Sequence, residues 1–105
     1  MKNPNWNRYE AALLIEGYTR VEKGDASRKE VAEEISKRLR IGSIESATYR
    51  NVNGIILQLG AIEFLMTDGV RGISHVSNLF RETVKLYKEN FSAFCELLEK
   101  ANLKY

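Results

Sequence analysis

The chain has 105 residues, 44% of them apolar and 29% charged, which suits one domain around one core. Its 16 basic and 14 acidic residues leave a formal charge of +2, too even a balance to argue for a polyanion partner by itself. A single proline and the lack of any low-complexity tract argue against disorder outside the first few residues and the tail, short apolar runs exclude a transmembrane span, and no basic stretch leads into an apolar block as in a signal peptide.

Residues 6–23 read as a first helix, with Asn5 or Asn7 as its cap. Trp6, Tyr9, Leu13, Ile15 and Val21 follow a loose helical spacing. Gly17 lies inside, where close approach of another helix would explain it. Gly24-Asp25 ends the element. The second helix opens with Ser27 and Glu30 in the S-x-x-E pattern of a capping box. Val31, Ala32, Ile35 and Leu39 keep core spacing, and Gly42 is the expected stop.

After a short polar turn at 43–47, a third helix is expected from about Ala47 or Thr48 to Met66. Two apolar stripes make it wide enough to be largely buried and central. Residues 68–75, DGVRGISH, form a loop with two glycines. From about Ser77 to Lys100, Phe80, Val84, Tyr87, Phe91, Phe94 and Leu98 alternate spacings of four and three. One long helix would carry that repeat, but a break is favoured near Glu89-Asn90, since Asn caps well. These aromatics read as core; the 3.5 repeat also leaves homodimerisation open. The fold class is therefore all-α, four to five helices in one domain over residues 1–105. Helices two and three can form a helix-turn-helix pair.

Between helices two and three stands YRNVNG, Tyr49 to Gly54, directly before an apolar run. Basic residues gather around it: Lys37, Arg38, Arg40 and Arg50 face only Glu45 over 37–50. As a reading surface, Arg50 would contact phosphate or a guanine edge, Asn51 or Asn53 an adenine edge, and Lys37, Arg38, Arg40, Thr48, Tyr49 and Arg71 phosphate. As local architecture, an asparagine would bond nearby backbone, Arg50 would pair with Glu45 or a more distant acid, and Gly54 would admit a neighbouring helix. The local reading weighs about two to one over direct base contact, because polar clusters at helix starts are common. Cations in the last turn of helix two also suit its dipole.

The fragments WNRYEAALLIEGY, SRKEVAEEISKRLR, TYRNVNGIILQLGAIEFL and DGVRGISHVS together resemble the small helical domain that precedes HNH nuclease modules in bacterial restriction-type proteins. The likeness spans roughly residues 6–80. RNVNG followed by IILQL is its most specific part. Trp6 stands at the family's helix-start tryptophan and Tyr49 at its aromatic. Arg50, Asn51, Asn53 and Gly54 fill its central block, and Gly72 and Ser74 its loop. The resemblance implies a DNA-targeting role in restriction or mobile-element biology. The nuclease itself is not implied, since one histidine cannot supply an HNH metal site.

Nothing points to an enzyme, a metal or a cofactor. His75 is the only histidine and Cys95 the only cysteine. Together they fall short of a four-ligand zinc site. Cys95, flanked by Phe94 and Leu97-Leu98, reads as a buried small hydrophobe in a chain suited to a reducing cytosol. Glu63 is the one acid inside an apolar helix, and an arginine is its expected partner. The expectation is a cytoplasmic, non-catalytic domain that binds DNA without membrane contact. The alternative is a protein-interaction or homodimerisation module.

Overall fold

The computed structural model describes residues 5–41 and 49–105. Within them the chain is all-α: α1 (Arg8–Glu22), α2 (Arg28–Arg40), α3 (Val52–Met66), α4 (Asn78–Glu89) and α5 (Phe91–Lys104). No described helix is long and apolar enough to cross a membrane.

Side-chain caps set most of the starts. Asn7 and Glu10 close a capping box on α1, and Ser27 and Glu30 close one on α2. Ser77 caps α4. Asn90 ends α4 and caps α5, so the expected break falls where the sequence placed it. The 3.5 repeat therefore does not run along one rod. Tyr87, Phe91 and Phe94 instead meet around the corner, with ring centroids 5.0–6.2 Å apart. Phe80 and Phe94 are core, whereas Phe91 is exposed.

The central place belongs to α1, not to α3 as expected. It packs against each of the other four helices. Residues 10–15 along it are all buried. Small residues permit this: a Cβ on Gly17 would come within 2.6 Å of Val31 Cγ1, so α2 crosses there at close range. The stripes of α3 are buried at Ile55, Leu59 and Ile62, but Leu57 faces outward.

One end of the bundle gathers the start of α1 and the ends of α2 and α5. Asn7 Nδ2 donates to the Tyr105 hydroxyl at 3.0 Å, and Arg38 Nη2 donates to Asn102 Oδ1 at 2.7 Å. The opposite end of α1 meets the 67–72 loop through Glu22 and Arg71.

Two expectations need correction. Helix three starts at Val52, not near Ala47, so eleven residues, 41–51, separate it from α2. The two helices do pack together, without the short turn of a helix-turn-helix. Cys95 is exposed rather than buried, because it follows Phe94 by one position, about 100° around the helix. The expected stop at Gly42 and the turn at 43–47 lie outside the described residues.

Candidate functional site

The YRNVNG block is tied inward at nearly every residue. Arg50 is 5% exposed and Glu10 2%. Arg50 Nε donates to Glu10 Oε2 at 3.0 Å and Nη2 to Glu10 Oε1 at 3.1 Å, a bidentate pair. Nη2 also donates to the Asn5 carbonyl at 3.1 Å. The guanidinium lies 4.0 Å from the Trp6 ring centroid and 4.9 Å from that of Tyr49. Glu10 works twice, because Oε1 also accepts the Asn7 N–H of the α1 cap.

The backbone is equally constrained. Arg50 has φ +47, a left-handed conformation rare for a residue with a side chain. The Ser36 hydroxyl donates to its carbonyl at 2.7 Å, and Arg40 Nη1 donates to the Tyr49 carbonyl at 2.7 Å. The left-handed turn lets Asn51 cap α3: its Oδ1 accepts the Gly54 N–H at 2.8 Å. A Cβ on Gly54 would lie 2.9 Å from that same oxygen. Gly54 thus makes room for the cap, not for a neighbouring helix. Asn53 alone in the block is exposed. Accordingly, Asn51→Ala should lose about 1 kcal/mol, whereas Asn53→Ala should change stability by less than about 0.5 kcal/mol. Parallel urea titrations of the two variants read this difference.

The other candidates separate into two groups. Arg71 pairs with Glu22 at 3.2 Å and with Glu63 at 3.4 Å, and Arg28 pairs with Glu63 at 3.2 Å. Glu63 thus finds the arginine partner expected of it. The Tyr18 hydroxyl bonded to Glu22, with Arg71 beside it, holds that carboxyl below its ordinary value. Burial pushes the Tyr18 hydroxyl up. Glu22 lies twelve residues along α1 from Glu10, about 18 Å away, so Arg71 is not brought beside Arg50. His75 is exposed in the loop. Glu45 and Thr48 lie outside the described residues.

Lys37, Arg38 and Arg40 do come together, at the end of α2. Two further cations join them there. Arg8 opens α1, its guanidinium 4.9 Å from the Tyr9 ring centroid. Lys104, near the end of α5, stands 5.8 Å from Tyr9 and 5.9 Å from Tyr105. Arg38, Ile41, Lys104 and Tyr105 line one shallow depression of about 290 Å³. Sequence reasoning missed Arg8 and Lys104, because only the fold brings the two termini to α2.

A larger groove, of about 920 Å³, runs between the start of α3, the 73–77 segment and the start of α4. Trp6 and Arg50 lie at one end, and Leu57, Ile73 and Phe80 contribute apolar surface. Among the described residues no group of three or more His, Cys, Asp or Glu side chains could hold a metal ion.

Comparison with family models, with curated proteins and with solved structures gives no match to this chain.

Proposed function

We propose that the chain is a non-catalytic DNA-binding or DNA-targeting domain of a restriction-type protein, and that phosphate meets it at the end where α1 begins and α2 and α5 finish. The observation that carries the reading is a gathering of cations without carboxylate partners at that end. Arg20, Arg28, Arg50, Arg71 and Lys88 each have a carboxylate partner. Arg8, Lys37, Arg38 and Lys104 have none among the described residues, and neither do Lys23, Lys29, Arg81, Lys85 and Lys100; what marks out the first four is that the ends of α2 and α5 and the start of α1 bring them together, where their charge is available to a polyanion. Helix dipoles favour cations at the ends of α2 and α5, which accounts for Lys37, Arg38, Arg40 and Lys104 without any ligand. They do not account for Arg8, which opens α1 where a cation is disfavoured. Its presence there supports a ligand-driven choice.

In this reading Arg50 and Asn51 are positioning residues. They fix the start of α3 and leave exposed Asn53 for base contact. The resemblance to the domain preceding HNH modules supports the same assignment.

Fluorescence anisotropy of labelled duplex and single-stranded DNA tests it. Binding should weaken as salt rises. Joint replacement Lys37→Gln, Arg38→Gln and Lys104→Gln should lower the log–log salt slope by about three, with thermal unfolding unchanged. A folded protein that binds neither DNA at about 50 mM salt overturns the reading. Ile41 and Leu103, 73% and 83% exposed, favour a second reading, self-association through this end. Sedimentation would then show a concentration-dependent dimer that Leu103→Glu abolishes.

A further inference from the structure

The end that gathers the cations also carries aromatic rings. Tyr9 and Tyr105 are both half-buried there. Arg8 lies 4.9 Å from the Tyr9 ring centroid, and Lys104 is close to both rings, 5.8 Å from Tyr9 and 5.9 Å from Tyr105. Cation and ring therefore alternate in the order Arg8, Tyr9, Lys104, Tyr105. Tyr105 also lines the shallow depression of about 290 Å³, whose cations are Arg38 and Lys104. Leu39 and Ile41 complete the lining, and none of the lining residues is acidic. Leu39 is 4% exposed and Ile41 73%, so the first is floor and the second a standing wall. Asn7 Nδ2 donates to the Tyr105 hydroxyl at 3.0 Å and so anchors the ring by its edge.

A duplex makes poor use of this surface. It presents phosphate and sugar outward, at one charge per about 1.7 Å of axis, and keeps its bases stacked inside. An apolar, aromatic depression gains little from such an exterior. The ends of α2 and α5 also turn two negative dipole ends this way, which disfavours so dense a row of charge. A single strand carries less charge along its length and leaves base faces open. Such faces stack on aromatic rings whatever the sequence, while cations beside the rings hold the backbone. The depression lies just below the roughly 300–1,000 Å³ of drug-sized ligand sites, so it suits one base rather than a longer segment.

We infer that this end prefers single-stranded to duplex DNA. An unpaired base sits in the depression against Tyr105, and its flanking phosphates meet Arg38 and Lys104. The inference rests on the phosphate contact proposed above and names the form of DNA that the contact serves.

Anisotropy of three short fluorescein-labelled probes tests it. They are an oligo-dT strand, the duplex of that strand with oligo-dA, and an abasic strand of equal length that keeps the phosphates. Oligo-dT should bind at least about tenfold tighter than either of the others at equal salt. Tyr105→Leu should weaken oligo-dT binding by about fivefold to a hundredfold and leave the log–log salt slope unchanged, because no charge is removed. Tyr105→Phe keeps the ring and should stay within about threefold of the parent. Thermal unfolding followed by Trp6 fluorescence checks that both variants fold. Failure to bind any probe at about 50 mM salt overturns the DNA reading and this inference together. A duplex or an abasic strand bound as tightly as oligo-dT keeps the DNA reading and overturns the single-strand preference. Oligo-dT binding that survives Tyr105→Leu intact overturns the preference as well.

Discussion

Replacing Arg50 with alanine is expected to destabilise the protein by about 3–5 kcal/mol, the largest effect of any surface-directed reading of YRNVNG. The cause is Glu10, 2% exposed, which would stay buried without its partner. Breaking one side of a buried pair costs more than the pair contributes, because the remaining charge keeps its desolvation penalty. Trp6 would also lose the guanidinium at 4.0 Å. Arg50→Lys should recover only part of the loss, since an ammonium cannot make both bonds to Glu10 and also lie flat against Trp6. Joint replacement Arg50→Met and Glu10→Leu should come within about 1–2 kcal/mol of the parent, because it removes both charges. Urea unfolding followed by Trp6 fluorescence and by circular dichroism reads all three. A loss under about 1 kcal/mol for Arg50→Ala would mean that water reaches Glu10 once the arginine is gone. The result governs how the function is tested. An Arg50→Ala protein that fails to bind DNA would be reporting its folding, so the cations at the end of the bundle are the informative positions.

What could be read from the sequence was local. The Ser27–Glu30 box and the Asn90 break depend on residues three apart or on one side chain, and both stand where expected. The start of α3 is not legible in local spacing because its cause is tertiary. Arg50 takes a positive φ while its side chain is held by Glu10, forty positions earlier, and its carbonyl by Ser36. No helical spacing records such contacts. One local signal was present, since Asn51 and Gly54 have the separation of a cap and the N–H it accepts. Cys95 misleads for the opposite reason. Its neighbours in sequence are apolar, but a helix turns neighbours to different faces. The cation end was half legible: Lys37, Arg38 and Arg40 are adjacent in the chain, while Lys104 reaches them only through the packing of α5 on α1.

The same distinction between side-chain and backbone constraint decides what holds the 67–77 segment against α3. Gly72→Ala should cost about 2–3 kcal/mol, combining left-handed strain with a lost hydrogen bond. Gly72 has φ +98, and an added Cβ would lie 2.4 Å from the Gly60 carbonyl oxygen and 2.5 Å from the Phe64 nitrogen. Both are helix backbone, so no rotamer change relieves the clash. The loop must lift, breaking the 3.0 Å bond from the Ile73 N–H to the Gly60 carbonyl. Its other ion-pair attachments, Lys88 to Asp68 and Arg71 to Glu22 and Glu63, run through exposed or half-buried side chains and resist weakly. Gly60→Ala provides the contrast. Its Cβ would meet Ile73 Cδ1 at 2.7 Å, the movable end of a side chain, and alanine gains up to about 1 kcal/mol of helix propensity. That variant should fall within about 1 kcal/mol of the parent. Hydrogen exchange at the Ile73 amide, measured with urea unfolding, separates the two mechanisms. Fast exchange in Gly72→Ala alone fits a seat made by backbone contact. Equal losses in both variants would mean that Ile73 packing carries the loop.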